Sequence, residues 1–273
     1  MRWRIIFQGR LGSAENMAID EALMIAIEEG KSLPTIRFYD WEPATVSCGF
    51  NQKAKEEVDF AEVEKKGYGF VRRPTGGRVV LHKDEVTYAV ITPCIEKFEG
   101  GITDTYAEIS KALGKGLLKL GVPIEFEKGD LTATEQRLNA NPCFTSTSRY
   151  ELKCFGKKIV GSAQVRKGNM LLQHGSILLN QNQEEVAWLV PGLEKEKKEK
   201  LARFLARKTI SINQAQSRKI EYSEAIKALA EGFMEQWDSD EFIVSDELTA
   251  YECKLTAELK EKKYGSDNWN FRK

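Results

Sequence analysis

Histidine is almost missing from this 273-residue chain, which holds only His82 and His174, so a catalytic metal centre built on imidazoles is not expected. The five cysteines, Cys48, Cys94, Cys143, Cys154 and Cys253, are odd in number and show no C-x-x-C spacing. That argues against a disulfide framework and a structural zinc site, and predicts free thiols with no metal. Net charge is absent too, with 41 basic and 41 acidic residues, so nothing in the balance favours nucleic acid or an anionic membrane surface. No stretch approaches the roughly 20 apolar residues of a membrane span, and residues 1–12 alternate charge with short apolar runs, unlike a signal peptide. A soluble, cytoplasmic protein is expected. Repeats, low-complexity tracts and flexible linkers are also lacking.

What is present is enough for a substantial core: 41% of residues are hydrophobic and 10% aromatic. Strands are predicted at residues 3–7, 35–39, 45–48, 68–73, 79–81, 86–91 and 124–127, and again at 150–154, 158–165 and 170–179. Helices are predicted over 14–29, 60–66 and 104–120, the last with Tyr106, Ile109, Leu113 and Leu117 on one stripe and Gly121 as its closing glycine. Residues 129–148 show no period and read as a long loop, often a functional feature in a compact domain. After Pro191 come a charge-dense helix at 194–205, a helix capped by Ser223 and running to Gln236, and one capped by Ser245 and reaching about Lys263. The class is mixed α/β, read as one unit over 1–273 with a core at 30–241 and a C-terminal helix and tail at 242–273.

The run Arg72-Arg73-Pro74-Thr75-Gly76-Gly77-Arg78 joins a strand end to a proline and two glycines. Taken alone it is either a plain hairpin turn or a ligand loop, since paired glycines let backbone amides approach an anion or a carbonyl. It is neither a Walker loop nor a dinucleotide turn. With His82 after it, this run resembles the signature of the lipoate-protein ligase A, octanoyltransferase and biotin ligase superfamily. The segments 156–164 (with Lys158, Gly161, Ser162 and Ala163), 170–178 (with His174) and 263–271 are similar to further motifs of that superfamily, in the right order over nearly the full length.

The resemblance implies two sheets flanked by helices with a helical C-terminal segment. The octanoyltransferase branch is indicated by Cys143, which lies in the loop before the lysine motif, where adenylating ligases use no cysteine. That branch implies no cofactor, an octanoyl-acyl carrier protein as donor, and a lipoyl domain or the glycine-cleavage H protein as acceptor. Cys143 would then be the acyl-thioester nucleophile, because a thiolate exchanges one thioester for another with little change in bond energy. Lys158 would lower the thiol pKa or orient the acyl carbonyl, while Lys157, on the opposite face of the strand, would be solvated. Substrate binding would fall to Arg72, Arg73, Thr75, Gly76, Gly77, His82, Gly161, Ser162, Ala163 and His174. His82 could bind the acyl carbonyl or be merely hydrogen-bonded, and His174 would order the pocket wall. The other four cysteines are assigned to packing.

Two departures stand out. Arg78 replaces a third glycine, which puts nucleotide binding in doubt, and Lys83 follows His82 where an acidic residue is frequent, with Asp84 one place on. The rival readings are an ATP-dependent lipoate-protein ligase, an amidotransferase between two proteins, and a non-catalytic lipoyl-carrier binding module.

Overall fold

A computed structural model describes residues 1–128 and 150–273. In chain order they form β1 (Arg2–Leu11), α1 (Ser13–Glu28), β2 (Thr35–Trp41), β3 (Thr45–Cys48), α2 (Ala54–Glu57), α3 (Phe60–Lys65), β4 (Gly69–Arg72), β5 (Val80–His82) and β6 (Glu85–Pro93). Next come α4 (Ile102–Lys119), β7 (Glu125–Lys128), β8 (Tyr150–Cys154), β9 (Lys157–Lys158), β10 (Val160–Lys167) and β11 (Met170–Leu178). The chain ends with α5 (Lys195–Lys208), α6 (Ile212–Ala215), α7 (Tyr222–Gln236), β12 (Glu241–Ser245), α8 (Ala250–Leu259) and α9 (Asp267–Asn270).

Six strands form the main sheet in the order β10-β11-β6-β2-β1-β12, and β4-β3-β5 and β7-β8-β9 form two small ones. The mixed α/β class is as expected, with one small sheet more. On one face of the main sheet α4 and α7 pack over Trp3, Phe38, Tyr88 and Val90, all withdrawn from water. Trp3 stacks on Trp237 at 4.8 Å between ring centroids, so burial of large aromatic area holds α7 down. On the other face lies α1, whose Met17, Leu23 and Met24 pack against Ile6, Tyr39 and Ile91. Because α8 and a π-helical turn at Lys260–Tyr264 cover its back, α1 is buried almost all round and even Asn16, Asp20 and Glu21 are inside.

Four expectations need correction. The single strand expected at 158–165 is two strands in different sheets: Lys158 pairs with Lys153 of β8, while Val160 pairs with Ile177 of β11. The chain crosses at Ile159, whose amide donates to Leu152 O and whose carbonyl accepts from Leu178 N. Ser245 does not cap a helix; it ends β12, an edge strand, and Thr249 caps α8 instead. Cys253 is exposed on α8 and not packed, because the buried side of that helix carries Glu252 and Thr256 and the next residue turns outward. Cys48 and Cys154 are buried, and Cys94 packs partly against the core. Likewise α7 starts at Tyr222, so Ser223 lies inside its first turn. The loop expected at 129–148, and Cys143 in it, lie outside the described residues. Among the described residues no helix is long and apolar enough to cross a membrane.

Candidate active site

The glycine turn folds back on the strand before it. Gly49 lies so close to it that a Cβ there would stand 2.1 Å from Gly77 O, and Gly77 itself has φ +93. Arg73 braces the turn from inside, donating through Nη2 to Gly76 O at 2.8 Å and Arg78 O at 2.7 Å. Arg72 points the other way. Its guanidinium is wholly buried and donates to the carbonyls of Gly49, Phe50, Gln52, Trp269 and Asn270. Arg72 thus ties the C-terminal tail to the base of the turn and does not line the pocket beneath it.

Beneath the turn is a mainly apolar pocket, partly open to solvent. Gly161, Ser162 and Ala163 of β10 wall it on one side, with His174, Gly175 and Ser176 of β11 beside them. Met17, Tyr39, Trp41 and Val80 supply most of the remaining apolar surface, and Ser47, Arg73, His82 and Thr87 supply polar groups. An apolar slot with a few convergent polar groups suits an aliphatic chain ending in a carbonyl.

Two hydrogen-bonded arrays order the polar edge. In the first, Asp20 Oδ2 meets His174 Nδ1 at 3.0 Å and His174 Nε2 meets Thr75 Oγ1 at 2.7 Å, linking α1 to the glycine turn through β11. Arg37 secures Asp20 at 2.7 Å, stacks on Tyr39 and also holds Gln8. Burial alone would raise the Asp20 carboxyl, but the hydrogen bond with His174 and the Arg37 charge hold it below its ordinary value. Burial pushes His174 below its ordinary value, against the pull of Asp20.

In the second array, His82 Nδ1 meets Glu85 Oε1 at 2.8 Å and His82 Nε2 meets Ser47 Oγ at 2.8 Å. Trp41 lies flat on the imidazole at 4.4 Å and donates through Nε1 to Thr87, which in turn donates to Glu85. The short turn between β5 and β6 makes this possible: Asp84 takes φ +51, bringing Glu85 back over His82. The acidic partner of His82 is therefore Glu85, not Asp84.

The structure brings together Arg73, His82, Gly161, Ser162, Ala163 and His174 around one cavity, with Thr75, Gly76 and Gly77 above it. Lys158 is buried next to this wall, with Nζ 2.8 Å from Glu151 Oε1. Lys157, its neighbour, is half-buried. Ser47, Glu85, Asp20 and Trp41 escaped the sequence reading, although a carboxylate three residues after His82 was a usable signal.

Residues 13–234 match the family described as the lipoyl protein ligase A/B catalytic domain. The chain is 42% identical over 275 residues to the octanoyltransferase LipM of Kyrpidia tusciae, covering 99% of each chain. It is 38% identical over 276 residues to that of Bacillus subtilis, covering 99% of this chain and 98% of the relative. In fold it is similar to a bipartite lipoate protein ligase of Thermoplasma acidophilum, with a TM-score of 0.81 at 24% identity over 99% of this chain and 96% of that one. A lipoate-protein ligase A bound with ATP gives a TM-score of 0.79 at 23% identity over 99% of both.

Proposed function

Since the chain belongs to the lipoyl protein ligase A/B catalytic domain family and, within it, to the LipM octanoyltransferases, we propose that it moves an octanoyl group onto a lysine of a lipoyl-bearing protein. The donor is octanoyl-acyl carrier protein and the acceptor a lipoyl domain or the glycine-cleavage H protein. The observation that carries this reading is the mainly apolar pocket walled by residues 161–163 and 174–176 under the glycine turn, a lining whose polarity suits an aliphatic acyl chain.

Transfer proceeds in two steps. The Cys143 thiolate attacks the donor thioester and releases the carrier thiol; the acceptor amine then attacks the acyl-enzyme and releases Cys143. Lys158 supports the thiolate and the acyl carbonyl through its positive charge. Thr75, Gly76 and Gly77 form the turn that holds His174 and Arg73 in place, and Arg73, His82, His174, Gly161, Ser162 and Ala163 line the slot. ATP has no part in this scheme, and Arg78 in place of a third glycine accords with that.

The test is to incubate the protein with octanoyl-carrier protein and weigh it intact. An octanoyl adduct should form, map to Cys143, yield to hydroxylamine and disappear on adding a folded lipoyl domain. Transfer at the wild-type rate by Cys143→Ala, or transfer only from free octanoate with ATP, would sink the proposal.

A further inference from the structure

Aminolysis of a thioester needs a free amine, and a lysine side chain at neutral pH is almost wholly ammonium, since its ordinary pKa is about 10.4. A group that takes that proton at the site is therefore required. Lys158 is already engaged in an ammonium–carboxylate pair with Glu151. From the geometry we infer that Ser47, His82 and Glu85 form the proton-accepting relay for the incoming lysine amine, an inference that rests on the acyl-transfer reading above.

Hydrogen-bond accounting fixes the direction of the relay. Glu85 receives hydrogen bonds at Oε1 from Thr87 and at Oε2 from Ser176, so its carboxylate accepts and His82 Nδ1 carries the hydrogen between them. His82 Nε2 is left as an acceptor, and its neighbour is the Ser47 hydroxyl at 2.8 Å. Arg73 donates to Ser47 Oγ at 3.0 Å, which leaves that oxygen one lone pair for an amine hydrogen. Ser47 and His82 both line the cavity. The second array does not serve equally well: Thr75, the hydroxyl on His174, does not line the cavity, and burial makes His174 a weaker base.

Position supports the same assignment. Leu178 pairs with Glu85 on one side and donates its amide to Ile159 O on the other, so Ile159, Leu178 and Glu85 form one row across the sheet. Two strand spacings, about 10 Å, separate the ends of that row, which places the relay at the same end of the sheet as Lys158. Among the described residues, the charged and titratable groups facing His82 include Glu85 beside it, Arg73 across Ser47, and His174 on β11.

The acceptor ammonium passes one proton through the Ser47 hydroxyl to His82 Nε2, and the freed electron pair attacks the thioester carbonyl carbon. When the adduct collapses, the carbon–sulfur bond breaks with its pair on sulfur. The second amine proton goes to that thiolate, leaving an amide and a thiol, and the imidazolium returns its proton to solvent.

A single-turnover chase tests this. Octanoyl-enzyme is prepared from octanoyl-carrier protein for wild type, His82→Gln and Glu85→Gln, checked by intact mass, then mixed with a lipoyl domain across a pH series. His82 also lines the slot, so each chase rate is read against the same variant's acylation rate; with His82→Gln the chase should slow on the order of 100-fold more than acylation does, the usual reach of a general base. Its rate should keep rising with pH where wild type levels off, and Glu85→Gln should show the same split more weakly. An undiminished chase, or loss of acylation and chase together in both variants, would overturn the relay. Absence of any acyl-enzyme in wild type would instead remove the acyl-transfer reading itself.

Discussion

Lys158 Nζ and Glu151 Oε1 meet at 2.8 Å, and the two side chains are only 7% and 5% exposed. The pair arises from register: Lys158 lies opposite Lys153 on β8, and Glu151, two residues along the same face, is its diagonal neighbour. A charge so deeply placed is costly to strand. Lys158→Ala should therefore lose about 3–5 kcal/mol of stability in urea titrations, the usual cost of breaking a buried pair. Removing both charges as Lys158→Ala/Glu151→Ala should restore much of that stability without restoring acyl transfer. Recovery of activity in the double variant would show that Lys158 serves the fold and not the thiol.

Arg72 makes its own prediction. Its guanidinium joins the carbonyls at 49, 50 and 52 to those at 269 and 270, and its backbone amide donates to Asn270 Oδ1 at 2.8 Å. Arg72→Ala should lose at least about 3 kcal/mol, because hydrogen bonds to a charged donor contribute roughly 1.5–3 each. It should also expose the tail to limited proteolysis after about residue 264. Arg73→Ala, by contrast, should leave the tail protected and perturb the glycine turn. Equal tail cleavage in the two variants would contradict this division.

Arg72 also shows how far the sequence could be read. Adjacent arginines in one motif looked alike, and only the fold reveals that one faces the tail and the other the turn. Elements with strong periodicity, such as α4, or β3 with its alternating Thr-Val-Ser-Cys, were legible to within a residue or two. β12 was not: five residues on an exposed edge carry little pattern, and Ser245 gave a competing cap signal. The break at Ile159 was hidden because one apolar run serves two sheets. The Ser47–His82 contact depends on β3 pairing antiparallel with β5, a long-range register that no local spacing announces.

The Asp20–His174 array should show in the acid limb of stability. Asp20 is held below its ordinary value, so its stabilising contribution is present above the unfolded carboxyl value and is lost as pH falls through the lower folded one. His174 is also lowered, so acid favours the unfolded chain there too, beginning nearer the ordinary imidazole range of about 6.5. Asp20→Asn should be less stable than wild type at about pH 7, with the gap narrowing toward about pH 3. Parallel urea-midpoint curves over that range would mean Asp20 is not an ionised partner of Arg37.

The walls of the cavity should set acyl-chain length. Met17 enters from α1 and Ala163 from β10, and both line the slot. Met17→Ala removes bulk and should favour donors longer than octanoyl; Ala163→Leu adds bulk and should favour shorter ones. Each methylene admitted or excluded changes discrimination by about 1–3 kcal/mol, or about 10–200-fold, so hexanoyl, octanoyl and decanoyl donors separate the two variants in opposite directions. Met17 is 2% exposed, so its truncation also costs roughly 2–5 kcal/mol of stability and lowers the active fraction. The measurement is therefore the ratio of kcat/KM for two donors in one preparation, in which the active fraction cancels. Gly175→Ala provides the limit: its Cβ would fall 2.6 Å from Gly161 O, in the wall itself, and 2.8 Å from Tyr88 Cε1 in the core behind it. That variant should lose all donors together and not reorder them. Unchanged ratios in Met17→Ala and Ala163→Leu would mean the acyl chain lies elsewhere.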